Sequence, residues 1–160
     1  MAASGGCSAS ASQYDVFLSF RGPDTRKTFT DCLYRTMVGQ GIIAYRDSED
    51  LHAGDRIDNL LGAVGDSKIC ILVLSRGYAS SPWCLRELTH AMELNESTGK
   101  PEILPIFFDV TPSDVKLKTK LYVVDLEKHE QRPGGESRER WEAALRKVGK
   151  IRGWEVQGKA

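Results

Sequence analysis

The chain has 160 residues, of which 41% are hydrophobic, and this length and composition fit one soluble globular domain with a substantial core. Lysine plus arginine equals aspartate plus glutamate at 22 residues each, so the basic excess that is typical of nucleic-acid-binding proteins is absent. No apolar run approaches the roughly 20 residues of a membrane-spanning helix. The balanced charge and the short apolar runs together mean that neither a nucleic acid nor a membrane is expected as a partner.

The first residues, MAASGGCSASAS, are small and polar, and they lack the basic and apolar regions of a secretory signal. We predict a disordered tail over residues 1–13. The cysteines follow neither a zinc-binding nor a CxxC spacing, which favours an intracellular protein with reduced thiols and no metal site. They are Cys7, Cys32, Cys70 and Cys84.

Four apolar segments predict the strands of a parallel sheet. Three of them are nearly continuous runs of Val, Ile, Leu and Phe, as expected for strands that are covered on both faces, and the second along the chain is weaker. They span residues 14–20, 41–47, 68–75 and 102–110. A further short strand is predicted within residues 120–127.

Segments with apolar residues at helical spacing separate or follow these strands. Alternation of strands and helices predicts an α/β domain with a parallel sheet. We expect a flavodoxin-like five-stranded sheet of order 2-1-3-4-5 with helices on both faces. In such a sheet a ligand binds beyond the carboxyl ends of the first and third strands, where the strand order reverses. Residues 20–26 and residues 75–87 would converge on that crevice.

The sequence SSPWCLRELTHAM opens a helix at the crevice. Ser81 suits the N-cap and Pro82 the first helical position. Trp83, Cys84 and Glu87 would then lie close together on one helix face, within two turns of the helix N-terminus. Two interpretations of Glu87 remain open: a solvated surface carboxylate, or a carboxylate held at a site near the mouth of the crevice.

The remaining candidates have ordinary structural interpretations as well. Trp83 alone is more often a packing residue, and Cys84 alone is more often a small buried residue than a nucleophile. Arg21 and Arg26, on either side of a turn that begins at Gly22, are either solvated or form a phosphate clamp, because a planar guanidinium binds phosphate oxygens with two hydrogen bonds. Neither a GxGxxG nor a GxxxxGK[ST] phosphate loop is present.

Five blocks of the chain resemble the Toll/interleukin-1 receptor (TIR) domain, and more narrowly the TIR domain of plant nucleotide-binding leucine-rich-repeat immune receptors. The blocks read YDVFLSFRGPDTRKTF, YRDSEDLHAGDRI, SRGYASSPWCLRELTHAM, ILPIFFDVTPSDV and RWEAALRKVGKIRGW. The resemblance implies a TIR domain over residues 14–154, with residues 155–160 as a C-terminal tail or linker. It also implies the same five-stranded sheet.

The resemblance further implies that NAD⁺ or NADP⁺, as a substrate and not a cofactor, is hydrolysed at the nicotinamide–ribose bond. The products would trigger defence and cell death. In the W-C-x-x-E-L element the implied catalytic residue is Glu87. One carboxylate suffices, because nicotinamide leaves as a neutral molecule, whereas ordinary glycosidases use two carboxylates. The implied nucleotide-binding residues are Phe20, Arg21, Gly22, Arg26, Ser81, Trp83 and Cys84.

Departures from the family pattern support an alternative function. His52 and Ala53 replace basic residues after the second strand, Cys32 replaces a histidine on the first helix, and Lys120 stands where glycine is frequent. These positions concern self-association, so they favour a homotypic TIR–TIR interaction module with weak or no catalysis. The retained Glu87 favours an assembly-dependent NAD⁺ nucleosidase. Either way, the implied protein partners are weakly bound copies of the chain and other TIR domains, in the cytoplasm or nucleus.

Overall fold

The computed structural model describes residues 13–25, 27–46, 57–131 and 138–157. The strands are β1 (Tyr14–Ser19), β2 (Ala44–Arg46), β3 (Ser67–Leu74), β4 (Glu102–Phe108) and β5 (Trp154–Val156). The helices are α1 (Gly22–Thr25), α2 (Phe29–Gly39), α3 (Ile57–Gly65), α4 (Pro82–Thr98), α5 (Pro112–Val115), α6 (Val123–Glu130) and α7 (Arg138–Val148). A 3₁₀ turn covers Tyr78–Ser80.

The five strands form one parallel sheet of order β2-β1-β3-β4-β5, which confirms the predicted fold class and strand order. At the centre of the sheet, Phe17 of β1 lies opposite Tyr45 of β2 and Cys70 of β3. The order reverses between β1 and β3, so the carboxyl ends of these two strands border the predicted crevice.

Successive residues of the central strands face opposite sides of the sheet and enter two separate cores. Phe17 and Leu72 belong to a large cluster with residues of α3, α4, α6 and α7. Val16, Leu18 and Val73 belong to a second cluster that packs against α2. Burial on both faces explains why β1 and β3 are continuous apolar runs in the sequence.

The short strand predicted within residues 120–127 is wrong. This segment forms a turn followed by α6. Tyr122 and Leu126, four residues apart, are fully buried, whereas Val124 between them is 41% exposed. That spacing places the two buried side chains on one face of a helix.

The fifth strand comes instead from β5 at the sheet edge, beside β4. Gly153 precedes it and lies so close to β4 that a Cβ atom there would overlap the carbonyl oxygen of Pro105. This close approach brings β5 into the sheet, where it extends to Val156. None of the helices in the described part of the chain combines the length and the hydrophobicity needed to cross a bilayer.

Candidate functional site

The segments that follow β1 and β3 meet at one edge of the sheet, as predicted. Asp24 of α1 accepts hydrogen bonds from the Ser75 hydroxyl at 2.5 Å and from the Gly77 amide at 2.9 Å. Gly77 approaches so closely that a Cβ atom there would stand 2.9 Å from the Asp24 carboxylate. The Asp24 side chain thus joins the two segments that border the crevice.

Helix α4 begins as the sequence predicts. Ser81 is the N-cap, its hydroxyl accepts a hydrogen bond from the Cys84 amide at 3.3 Å, and Pro82 occupies the first turn. Leu85 and Leu88 are fully buried on the core side. This start of the helix fixes the positions of the candidate residues in its first two turns.

Glu87 is only 1% exposed, so its interpretation as a solvated surface carboxylate is wrong. The side chain lies in the second turn of α4, as predicted, but it is covered rather than open at the mouth of a crevice. A charged carboxylate loses much of its hydration when it is buried and therefore needs hydrogen-bond donors. A donor comes from the end of β1, where the Ser19 hydroxyl donates to Glu87 Oε1 at 2.7 Å.

A second hydroxyl continues this polar network. The Tyr78 hydroxyl lies 2.7 Å from Ser19 Oγ and donates to the Cys84 carbonyl at 3.1 Å. Ser19 and Tyr78 are both fully buried. Burial, followed by interactions with Cys84 and Glu87, raises the pKa of the Tyr78 phenol well above its ordinary value. The phenol therefore keeps its proton at neutral pH and remains a donor.

Cys84 and Phe20 connect α4 with the segment after β1. Both are 2% exposed, and the Cys84 thiol lies 3.5 Å from the Phe20 carbonyl oxygen. This burial supports the interpretation of Cys84 as a small packing residue. Phe20, Cys84 and Glu87 therefore lie around the carboxyl end of β1.

Arg21 lies on the neighbouring side of the same segment. Its Nη1 donates to Asp24 Oδ1 at 3.0 Å, and its side chain is 30% exposed. Gly22 begins α1 and is buried. Trp83 is half-buried, with the Arg86 guanidinium 5.7 Å from its ring centroid.

Several residues named in the sequence analysis lie outside the described residues. They are Arg26 of the expected phosphate clamp, His52 and Ala53 of the loop after β2, and Cys7 with residues 1–12 of the predicted tail. Two other departures from the family pattern, Cys32 and Lys120, are both exposed.

Sequence reasoning missed Ser19, Tyr78 and Asp24. Ser19 had a detectable signal, because it is a hydroxyl residue at the end of an otherwise apolar strand, and a fully buried hydroxyl needs a polar partner. Tyr78 and Asp24 lie in turn-rich segments, where polar side chains are common and give no such signal.

Two cavities lie near the carboxyl ends of the strands, and Asp24 lines the smaller one. A cavity of about 190 Å³ lies between the carboxyl ends of β3 and β4 and is lined by Asp24, Ser75, Arg76, Phe108 and Asp109. A larger crevice of about 670 Å³ extends from Arg76 towards β5. The lining of neither space includes Glu87.

Comparison with known proteins identifies relatives that match most of the chain. The TIR-domain family model matches residues 13–159. The chain is 40% identical over 149 residues to TMV resistance protein N of Nicotiana glutinosa, covering 91% of this chain. It is 38% identical over 153 residues to disease resistance-like protein DSC1 of Arabidopsis thaliana, covering 94% of this chain. The aligned regions are 13% and 12% of the lengths of these two relatives.

A solved structure supports the same relationship. The TIR domains of the activated Roq1 resistosome, described as directly recognizing the pathogen effector XopQ, match with a TM-score of 0.77 and 39% identity. The match covers 90% of this chain and 88% of that chain.

Proposed function

Because the chain belongs to the TIR-domain family and is similar to plant disease resistance proteins over most of its length, we propose that it hydrolyses NAD⁺ or NADP⁺ when copies associate. The products would act as defence signals that lead to cell death. The observation that carries the proposal is the position of Glu87, a carboxylate buried at the carboxyl end of β1 and held by a buried hydroxyl. Keeping such a group buried is energetically unfavourable, and arrangements of this kind concentrate at functional sites.

The proposed reaction breaks the bond between nicotinamide nitrogen and ribose carbon. The electron pair of that bond goes to the nitrogen, so the cationic ring leaves as neutral nicotinamide. Glu87 would accept hydrogen bonds from the ribose hydroxyls and stabilise the positive charge that develops on the sugar. Water then adds to the ribose carbon and releases a proton. Arg21, together with Arg26, would bind the pyrophosphate.

Association between copies is needed because Glu87 is covered in the single chain. With 1% exposure its carboxylate does not reach a dissolved nucleotide, so the surrounding groups have to move before substrate binds. The related Roq1 TIR domains belong to an activated resistosome. We propose that contacts between copies of this chain move these groups and open the site, and that such contacts are weak for the isolated domain.

A second candidate function is an interaction module without significant catalysis. The covered Glu87 and the exposed Cys32 and Lys120, which stand at positions implied in self-association, favour it. In that function the chain would signal through TIR–TIR contacts alone.

An NAD⁺-consumption assay on concentrated, crowded protein separates the two functions. Wild type is expected to consume NAD⁺, and Glu87→Gln to be slower by about 100-fold or more, because a preorganised transition-state contact is lost. The control is Glu96→Gln on the same helix, where the carboxylate is half exposed and pairs with Lys147; it should keep wild-type activity. If neither wild type nor Glu87→Gln consumes NAD⁺, the interaction module is favoured. Equal consumption by both would remove Glu87 from the mechanism.

A further inference from the structure

The buried hydroxyls of Ser19 and Tyr78 form a chain that leads to the Glu87 carboxylate. A serine hydroxyl carries one proton, and that of Ser19 is donated to Glu87 Oε1. While Glu87 is ionised, the serine oxygen is therefore the acceptor at its 2.7 Å contact with Tyr78, and the phenol is the donor. The Tyr78 proton is shared between Ser19 and the Cys84 carbonyl, the latter at 3.1 Å. The order of donation runs from Tyr78 through Ser19 to Glu87.

This direction favours the charged form of the carboxylate. A hydrogen bond donated to a carboxylate stabilises its anion, and chains of hydrogen bonds inside proteins strengthen one another. A protonated Glu87 would donate its own O–H to Ser19, and the two hydroxyls would turn towards the Cys84 carbonyl. These neutral hydrogen bonds are weaker than hydrogen bonds donated to an anion. The hydroxyl chain therefore acts against protonation of Glu87.

The hydroxyl chain also connects three separate secondary-structure elements. Ser19 is the last residue of β1 and pairs in register with Leu72 of β3. Tyr78 begins the 3₁₀ turn, where its amide donates to the Ser75 carbonyl at 3.1 Å. Glu87 comes from α4. Because all three side chains are almost completely buried, their contacts fix the carboxylate relative to the end of the strand.

We propose that Ser19 and Tyr78 are positioning residues, whose hydroxyl chain holds the Glu87 carboxylate in place and in its charged form for the reaction. This inference rests on the proposed function. The two residues act on the substrate only through Glu87.

Tyr78 of the 3₁₀ turn and Cys70 of β3 interact with the charge of Glu87, and Cys84 lies one turn earlier on α4. Burial raises the pKa of Cys70, with a smaller contribution from the charge of Glu87. Tyr78 and Cys70 therefore stay neutral across the pH range in which a carboxylate titrates. An acid limb in a pH–rate profile would then come from carboxylates of the site, and the Glu87 variant identifies the share of Glu87.

The test removes one hydroxyl and keeps the shape of the ring. Tyr78→Phe is expected to lower kcat for NAD⁺ by about tenfold, with KM little changed, because a misplaced carboxylate weakens transition-state contacts. The acid limb should also move to higher pH, since a carboxylate with fewer donors takes up a proton more readily. Ser19→Ala, which removes the direct donor, should produce a larger loss in the same direction.

Tyr122→Phe is the matched control. Tyr122 is as completely buried as Tyr78, and its hydroxyl donates to the Ser75 carbonyl at 2.6 Å. Both variants lose a buried hydrogen bond and should be destabilised similarly, but the Tyr122 variant should keep the wild-type pH profile. Equal pH profiles for the two variants would overturn the inference, because the hydroxyl of Tyr78 would then have only a structural role.

A measurement without turnover separates this inference from the proposed function. Carboxyl ¹³C resonances of glutamate-labelled protein report the titration midpoint of Glu87, assigned with Glu87→Gln. A midpoint that rises in Tyr78→Phe but not in Tyr122→Phe supports the hydroxyl chain, even if wild type consumes no NAD⁺ and the proposed function fails. An unchanged midpoint in Tyr78→Phe and Ser19→Ala overturns the inference, whatever the activity.

Discussion

At the scale of single residues, Asp24 shows how one carboxylate connects two segments of a site. It accepts from Arg21, from the Ser75 hydroxyl and from the Gly77 amide. Its ion pair with Arg21 is partly exposed, with 30% and 23% of the two side chains accessible, so we expect a small contribution to stability. Under the proposed function, orientation of the Arg21 guanidinium would be the more important effect, since a held side chain loses less entropy when it binds an anion.

Replacing Arg21 therefore separates binding from stability. Arg21→Ala is expected to weaken ADP-ribose binding about tenfold, as measured by calorimetry under the crowded conditions of the activity assay, because a charge-assisted contact with phosphate is lost. The unfolding temperature should change little. Arg35→Ala is the control, since Arg35 is 79% exposed and pairs with Asp31 on its own helix. A large fall in unfolding temperature for Arg21→Ala would instead identify Arg21 as a structural residue.

The place of Glu87 along α4 could be predicted from sequence, whereas its burial could not. The N-cap serine, the proline that follows it and the spacing of Leu85 and Leu88 are local signals, and they fixed the start of the helix and its core face. The burial of Glu87 depends on partners that lie 68 residues away, at Ser19, and beyond it at Tyr78. Helical periodicity assigns Glu87 to the polar face and contains no information about such distant hydroxyls.

At the scale of elements, two glycines illustrate how a strand and a helix differ in their tolerance of a side chain. At Gly153, just before β5, a Cβ atom would overlap both the backbone and the ring of Pro105. At Gly62, inside α3, a Cβ atom would meet none of the described residues beyond its own helix backbone within 4 Å. The edge strand thus depends on close backbone approach, and the helix position is open.

Substitution by alanine should have opposite effects at these two positions. Gly153→Ala is expected to lower the free energy of unfolding by about 1–3 kcal/mol, because the rigid backbone of β4 has to shift. Gly62→Ala should raise it by up to about 1 kcal/mol, because alanine is the better helix former. Urea unfolding followed by tryptophan fluorescence measures both. Equal free energies for the two variants would contradict the close packing of β5 on β4.

The extent of burial explains which strands could be predicted from the sequence. β1, β3 and β4 are buried on both faces and therefore appear as continuous apolar runs. β5 has three residues, and Trp154 and Glu155 are exposed, so the pattern is too short and too polar to indicate a strand. The β-branched residues near the start of α6 favoured a strand in the sequence, but packing of its buried side chains against α7 and the 3₁₀ turn favours the helix.

At the scale of the whole molecule, the proposed function makes activity depend on the number of copies that meet. Rate per subunit should rise with protein concentration if contacts between copies open the site. Adding excess Glu87→Gln protein to dilute wild type should also raise the rate per wild-type subunit, because the inactive copies still provide contacts. An equal mass of albumin is the control for crowding. No acceleration, or the same acceleration with albumin, would contradict activation by association.

The covered position of Glu87 has a consequence for the cell that makes this protein. Under the proposed function, a carboxylate that solvent barely touches would leave the pool of pyridine nucleotides intact, so idle copies would accumulate without harming metabolism. Under the proposed function, damage would begin only above a threshold of clustered copies, and tissue with high expression but no clustering would stay healthy.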